Sequence, residues 1–329
     1  MSFRALLTEK AADGTITSSV QTLDEGRLPE GNVTVAVDWA GLNYKDGLIL
    51  TGAGNMIKAY PHVAGIDFSG TVSASEDWRF HEGDKVLLTG WRVGESHWGG
   101  YAETARVNGD WLVPLPKTLS ARDAMVLGTA GLTAMLAVDR LEAAGVSKSA
   151  GPILVTGAAG GVGTIAISLL AKLGYEVAAL SGRPQHAEAL KALGATTIVD
   201  RAAFLAEPDK PLEAARWAGA VDNVGGALLG KLLKQVHYDG VVASIGMAGG
   251  TDLPTNVLPF ILRGVTLVGI DSVMRPTAPR VAAWQRLGEL FDAEAYSGLV
   301  EEIGLEGLPE AAKRILAGEV RGRVLVEVR

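Results

Sequence analysis

Residues 153–163, Ile-Leu-Val-Thr-Gly-Ala-Ala-Gly-Gly-Val-Gly, run an apolar strand into a glycine-rich turn that opens a helix. Few local patterns restrict the choice of fold as strongly. Glycines let the backbone turn sharply and come close to a ligand. The first turn of the helix then offers unpaired N–H groups and the positive end of its dipole, which suits the pyrophosphate of a dinucleotide. Ala159, Gly160, Gly161 and Val162 are the expected phosphate contacts. The helix behind the turn has an apolar stripe at Val162, Ile165, Ala166, Leu169, Leu170 and Leu173, and Gly174 stands where a C′ glycine would end it.

The surrounding pattern extends this unit. Past a helix at 121–141, apolar runs at 153–156, 176–180, 197–199, 220–223, 241–245 and 265–270 alternate with helical stretches such as 161–173 and 185–193. This alternation predicts a doubly wound α/β domain with a six-stranded parallel sheet, residues 123–272. Ahead of it, short β segments at 3–7, 15–22, 33–40, 68–72, 85–89 and 101–107 make a mostly β module. Helices near 282–291 and 308–317 and a strand at 324–328 return to that module. The second expected domain is therefore discontinuous, residues 1–122 and 273–329. With 329 residues, 48% of them hydrophobic, the chain has material for two cores.

The formal charge of −7, with no basic run, argues against a nucleic-acid partner. The absence of cysteine excludes disulfides, thiolate nucleophiles and cysteine-ligated zinc. Residues 149–171 carry no charge over a length that could span a membrane. Pro152 and the interior glycines favour instead a strand, turn and helix buried in a parallel sheet, so no membrane association is expected. Arg4 and Glu9 interrupt the first apolar stretch, which does not read as an export signal, and a cytoplasmic location is expected.

Position along the sheet also speaks to the nucleotide. Folds that bind NAD place an Asp or Glu at the end of the second strand, about 20 residues past the glycine turn, to accept hydrogen bonds from the ribose. Here that place holds Ser181-Gly182-Arg183. Arg183 suits a 2′-phosphate through charge-assisted bonds, Ser181 adds a further donor and Gly182 leaves room, so NADPH is expected. The competing reading makes Arg183 a solvated residue ahead of Pro184.

Several motifs carry a family resemblance. The turn Ala158-Ala159-Gly160-Gly161-Val162-Gly163 is similar to the form used by zinc-free quinone and enoyl reductases of the medium-chain dehydrogenase/reductase superfamily. Leu42-Asn43-Tyr44-Lys45-Asp46, the stretch 61–70, Gly90-Trp91 with His97-Trp98-Gly99-Gly100, and Asp271-Ser272-Val273-Met274 resemble the NADPH-dependent acrylyl-CoA reductase family. The resemblance implies a Rossmann sheet inserted in a GroES-like catalytic domain, metal-free reduction of acryloyl-CoA to propanoyl-CoA, and a homodimer. A quinone or enal reductase with the same hydride chemistry is the alternative. Carried over by position, Tyr44, Arg201, Asn223, Met247, Ile261 and Ser272 become further cofactor contacts, although core packing accounts equally for Met247 and Ile261. The segment 265–270 matches a strand that often pairs with its twin across a dimer.

Zinc-dependent relatives have a Cys in the segment matching 42–46 and a His-Glu pair after the glycine matching Gly65. This chain has no Cys, has Ile66-Asp67 in place of that pair, and scatters His62, His81, His97, His186 and His237. A tetrahedral zinc site lacks its ligands. The task left for bound NADPH is hydride delivery to an already activated carbon, such as the β-carbon of a conjugated thioester. Asn43, Tyr44 and Asp46, a polar group following an apolar strand, are the candidate catalytic residues. Asn43 could donate to the enolate oxygen, Tyr44 could stack or donate, and Asp46 could orient the others or relay a proton. Helix capping by Asn43 and Asp46 is the competing reading. His97 and Trp98 are candidate cleft residues, and Asp67 is expected to pair with a base. Lys45, Lys58 and Arg92 are candidates for the phosphates of an acyl-CoA.

Overall fold

In the computed structural model, which describes residues 1–329, six parallel strands form one sheet in the order Thr197–Asp200, Val177–Ser181, Ile153–Val155, Trp217–Asp222, Val236–Ser244 and Thr266–Gly269. The first strand in sequence is central. The chain winds outward from it in one direction and then in the other, which leaves a crevice at the carboxyl ends of Ile153–Val155 and Trp217–Asp222. Val177–Ser181 and Trp217–Asp222 are buried along their whole length. Buried Leu154, Leu180, Phe204, Leu228, Leu232 and Val242 share one core, as expected for short apolar strands covered on both faces.

Three helices beyond the expected ones complete this part: Arg201–Ala206, Gly226–Leu233 and Leu258–Arg263. Each is too short to show helical periodicity clearly. Their ends are marked instead: Asp200 accepts from Ala203 N at 2.7 Å at the start of the first, and Gly264 closes the last in the left-handed conformation.

The chain divides into two compact units, Met1–Leu132 with Ser272–Glu289 and Tyr296–Arg329, and Thr133–Asp271 with Leu290–Ala295. The division after Leu132 lies inside a helix, past the residue 122 expected from sequence. In the first unit a seven-stranded sheet contains, in order, Val300–Gly304, Arg323–Glu327, Val33–Leu42, Asp67–Ser75, Lys85–Thr89 and Leu112–Pro114, with Thr104–Val107 also paired to Val33–Leu42. A small sheet joins Ile16–Asp24, Ser2–Lys10 and His62–Val63. The C-terminal strand runs antiparallel to Val33–Leu42, with Val324 opposite Leu42 and Leu325 opposite Gly41. That register delivers Arg323 to the point where Val33–Leu42 gives way to helix Tyr44–Leu50.

The long helix Ala121–Ala143 departs from the uninterrupted one expected, because Gly128 breaks it with φ 51° and ψ −150°. By length and composition it could cross a membrane, but 83% of its most apolar window is buried in the protein.

Candidate active site

The break at Gly128 frees backbone groups that helix bonds would otherwise occupy. Thr129 N donates to Asp67 Oδ2 at 2.7 Å, and Val126 O accepts from Arg323 Nε at 2.9 Å. Asp67 Oδ1 accepts from Gly41 N at 3.0 Å. Asn43 connects the charged groups: its Nδ2 donates to Asp67 Oδ2 at 2.9 Å and to Asp46 Oδ2 at 3.3 Å, while its Oδ1 accepts from Arg323 Nη1 at 3.2 Å. Asp46 also accepts from Asn43 N and from Ile66 N, each at 3.0 Å. Tyr101 donates its hydroxyl to Gly41 O at 3.0 Å. A Cβ at Gly128 would lie 2.7 Å from Asp67 Oδ2 and 2.9 Å from Arg323 Nη2, and one at Gly41 would lie 2.7 Å from Asp67 Oδ1 and 2.8 Å from Arg323 Nη2. Glycine on both sides lets the carboxylate and guanidinium face each other.

Asp46, Asp67, Tyr101 and Arg323 are all buried. Burial, and then the nearby charge of Asp67, pushes the Asp46 carboxyl up to about 7 despite three N–H donors that favour its ionised form. Burial pulls the Arg323 guanidinium down, and the charge of Asp67 opposes that. The Tyr101 phenol is driven well above its ordinary range by burial and by both aspartates. The structure therefore brings Asn43, Asp46 and Asp67 together with Arg323, Tyr101 and the Gly128 break, three features absent from the sequence reading. A lone arginine heading the apolar strand Arg323–Glu327 was the available signal.

The arrangement revises several assignments. Both N–H groups of the Asn43 amide are held by carboxylates, so Asn43 is not the donor to an enolate. Asp46 is enclosed at the third position of helix Tyr44–Leu50, where it accepts from Asn43 N as a helix cap; the capping and site readings hold together. Tyr44, by contrast, is 49% exposed. His97 Nε2 bonds Arg106 O at 2.8 Å, its ring meets Trp111 edge-on at 5.0 Å, and burial lowers its pKa. Neighbouring His62 is pushed down to about 4, chiefly by burial, so its imidazole is uncharged near neutrality. Trp98 packs under Arg27. Lys45 is paired with Glu95 at 2.8 Å and is not an open phosphate site; Lys58 and Arg92 are exposed.

In the second unit, Gly160 precedes helix Gly161–Lys172 as its N-cap, with Ala159 buried beneath the turn and Val162 in the first helical turn. At the crevice, Thr156 Oγ1 donates to Asp222 Oδ1 at 2.7 Å and accepts from Asn223 N at 2.9 Å. Asn223 Nδ2 donates to Thr156 O at 2.7 Å, which leaves its buried Oδ1 without a protein partner. Asp200 pairs with Ser181 in the sheet, which brings Arg201 to the Ser181–Arg183 turn. A Cβ on Gly182 would lie 2.7 Å from the Arg201 guanidinium carbon, so only glycine admits this stacking. Ser181 Oγ accepts from Arg183 N at 3.1 Å. No acidic residue occupies the turn, which carries Arg183 and has Arg201 packed against Gly182. These residues fit a phosphorylated dinucleotide, with a polar acceptor in the crevice and positive charge at the second strand end. Met247 is 61% exposed and Ile261 68% exposed, so the core-packing reading fails for both. Ser272 falls in the first unit, where its carbonyl accepts from Arg280 Nη2 at 3.2 Å.

A doubly wound nucleotide-binding unit and a β unit with a buried acid–base cluster define a nucleotide-dependent oxidoreductase. Comparison with known proteins gives matches to the alcohol dehydrogenase GroES-like domain at residues 29–117 and to zinc-binding dehydrogenase at 161–287. A probable acrylyl-CoA reductase of Escherichia coli is 55% identical over 325 residues, covering 99% of both chains. The acrylyl-CoA reductase of Ruegeria pomeroyi is 52% identical over 327 residues, again 99% of both. A solved oxidoreductase from Salmonella enterica in complex with NADP is 53% identical, with a TM-score of 0.96 and 100% of both chains covered. The chain belongs to the acrylyl-CoA reductase branch of the medium-chain dehydrogenase/reductase family. The residues present do not fit the zinc ion in one of those family names: no three His, Cys, Asp or Glu side chains converge, and Asp67 is engaged by Gly41, Asn43 and Thr129.

Proposed function

We propose that this protein reduces the C=C bond of a short 2-enoyl-CoA, acryloyl-CoA above all, with NADPH and without metal. The observation that carries the reading is the Ser181-Gly182-Arg183 turn with Arg201 stacked on it, in a chain similar over its whole length to acrylyl-CoA reductases. When bound, NADPH would supply the hydride, which an enoyl thioester would accept at its β-carbon as charge develops on the thioester oxygen, and a proton from solvent would then complete the reduction at the α-carbon. Arg183, Arg201 and Ser181 would hold the 2′-phosphate, the first turn of helix Gly161–Lys172 would hold the pyrophosphate, and Asn223 would offer its free Oδ1. Tyr44 is the member of the Asn43–Asp46 group that meets substrate. Asn43, Asp46, Asp67 and Arg323 act through it, by fixing the start of helix Tyr44–Leu50.

NADPH oxidation followed with acryloyl-CoA, crotonyl-CoA and a quinone tests this. Turnover should be fastest with acryloyl-CoA and should yield propanoyl-CoA; preference for the quinone, or no turnover, sinks the reading. A homodimer belongs to the same proposal. Val257, Ile261 and Leu262 are 62%, 68% and 56% exposed just ahead of the edge strand Thr266–Gly269, and a second copy continuing the sheet would cover them. Ile261→Glu should convert the protein to a monomer in sedimentation; a monomeric wild type would rule the dimer out.

A further inference from the structure

One side chain joins two motifs that lie far apart in sequence, Gly90-Trp91 and Asp271-Ser272-Val273-Met274. Arg280, on helix Thr277–Leu290, is completely buried. Its Nη1 donates to Thr89 O at 2.7 Å and to Thr89 Oγ1 at 2.9 Å. Its Nη2 donates to the carbonyl oxygens of Ser272 and Val273, both at 3.2 Å, and of Arg275 at 3.0 Å. The guanidinium carbon lies 5.1 Å from the centre of the Trp91 ring. Trp91 N donates to Val273 O at 2.8 Å, which closes the connection between the two segments.

Trp91 and Arg92 have φ of 55° and 57°. Two consecutive bulky residues in the left-handed region are strained and persist only where the surroundings over-determine them. Arg280 supplies that constraint. Its planar fork reaches carbonyls on two segments while its face covers an aromatic ring, a combination that the point charge of lysine does not reproduce.

We propose that Arg280 is a positioning residue that fixes the main chain of 272–275 and the turn at 90–92 in a single arrangement, and so sets Ser272 for the cofactor contact expected of it. The proposal rests on the reading that the chain binds NADPH with Ser272 among its contacts. Arg280→Lys keeps the charge and loses the fork. Its kcat for acryloyl-CoA reduction should fall by about tenfold or more, since small misplacements of positioning groups are costly. Its KM for NADPH should stay within about twofold, because the phosphate end is held elsewhere. Hydrogen exchange, read without cofactor, should rise roughly tenfold at the amides of 90–93 and 272–275 and stay unchanged in Ile153–Val155. A lower unfolding midpoint with wild-type kcat and wild-type exchange at these segments would overturn the proposal.

If Arg280→Lys does not fold, Thr89→Val decides, since it is isosteric and removes only the Oγ1 acceptor. A loss of roughly threefold in kcat with faster exchange at 272–275 is expected, and wild-type values would overturn the idea. A wild-type protein that fails to reduce acryloyl-CoA would defeat the functional reading instead, and the exchange data would still judge Arg280.

Discussion

Replacing Asp67 by Asn probes the buried cluster at its most connected point. The Asp67 carboxylate accepts from Gly41 N, Asn43 Nδ2 and Thr129 N at 3.0, 2.9 and 2.7 Å, and it is the strongest charge favouring Arg323. An amide offers one oxygen where two are in use, turns its own NH2 toward a donor, and removes the charge facing a buried guanidinium. Leaving a buried charge without the opposite charge that faces it costs about 3–5 kcal/mol. The variant also acts on Asp46, whose carboxyl is raised from 3.8 to about 7 by burial and by the charge of Asp67. In the wild type, between those limits, the native state keeps a proton that the unfolded chain has lost. Stability therefore declines as pH rises from about 4 to about 7. At about 1.36 kcal/mol per tenfold in proton affinity, the decline from this group is roughly 4 kcal/mol. Without the charge of Asp67 the Asp46 carboxyl moves back toward its ordinary value, ionises at lower pH and becomes the counter-charge for Arg323. The destabilisation should accordingly be larger at pH 5.5 than at pH 8. Urea unfolding followed by tryptophan emission measures it, since every tryptophan but Trp217 lies in the first unit. A loss below about 1 kcal/mol at pH 5.5, or equal losses at the two pH values, would refute the account.

Three further substitutions separate the parts of the molecule. Arg183→Ala should weaken NADPH binding by about tenfold or more and leave NADH binding nearly unchanged, as loss of a charge-assisted bond to phosphate requires; fluorescence titration with both cofactors gives the ratio, and equal losses would remove the phosphate argument. Gly128→Ala places a Cβ 2.7 Å from Asp67 Oδ2 in a backbone conformation with φ 51°, and should lower stability by about 2–4 kcal/mol, a cost that a small shift in unfolding midpoint would disprove. Tyr44→Phe should lower kcat with stability within about 0.5 kcal/mol of wild type, whereas Asn43→Ala should lower both; Tyr44→Phe with unaltered kcat would show that the hydroxyl has no role.

What sequence reveals here follows the range of each interaction. The glycine turn at 157–163 and its helix were legible because strand, turn and helix are encoded within one short window. The inner parallel strands Ile153–Val155, Val177–Ser181 and Trp217–Asp222 were legible because burial on both faces writes each as an apolar run. Helix Tyr44–Leu50 was left as a competing reading because seven residues give too little periodicity. The break at Gly128 was hidden because a glycine inside an apolar helical pattern is ordinarily tolerated at a small cost.

Arg323 was hidden for a different reason. It bonds Asn43 from 280 residues away, through a strand register that depends on how the whole β unit closes. Choosing polar residues by type found Asn43, Asp46 and Asp67 but gave the wrong division of work, because type does not reveal which hydrogen-bonding groups remain free after folding. Once Arg323, Gly41 and Thr129 are in place, the Asn43 amide and the Asp67 carboxylate have protein partners on every side that matters. A residue so engaged cannot respond to charge forming on a substrate without breaking a buried bond to a charged group, at about 1.5–3 kcal/mol. The same engagement makes Asn43 and Asp67 a rigid base for exposed Tyr44, and under the proposed function the contact with substrate falls to Tyr44 while the polar residues beside it hold the helix that carries it.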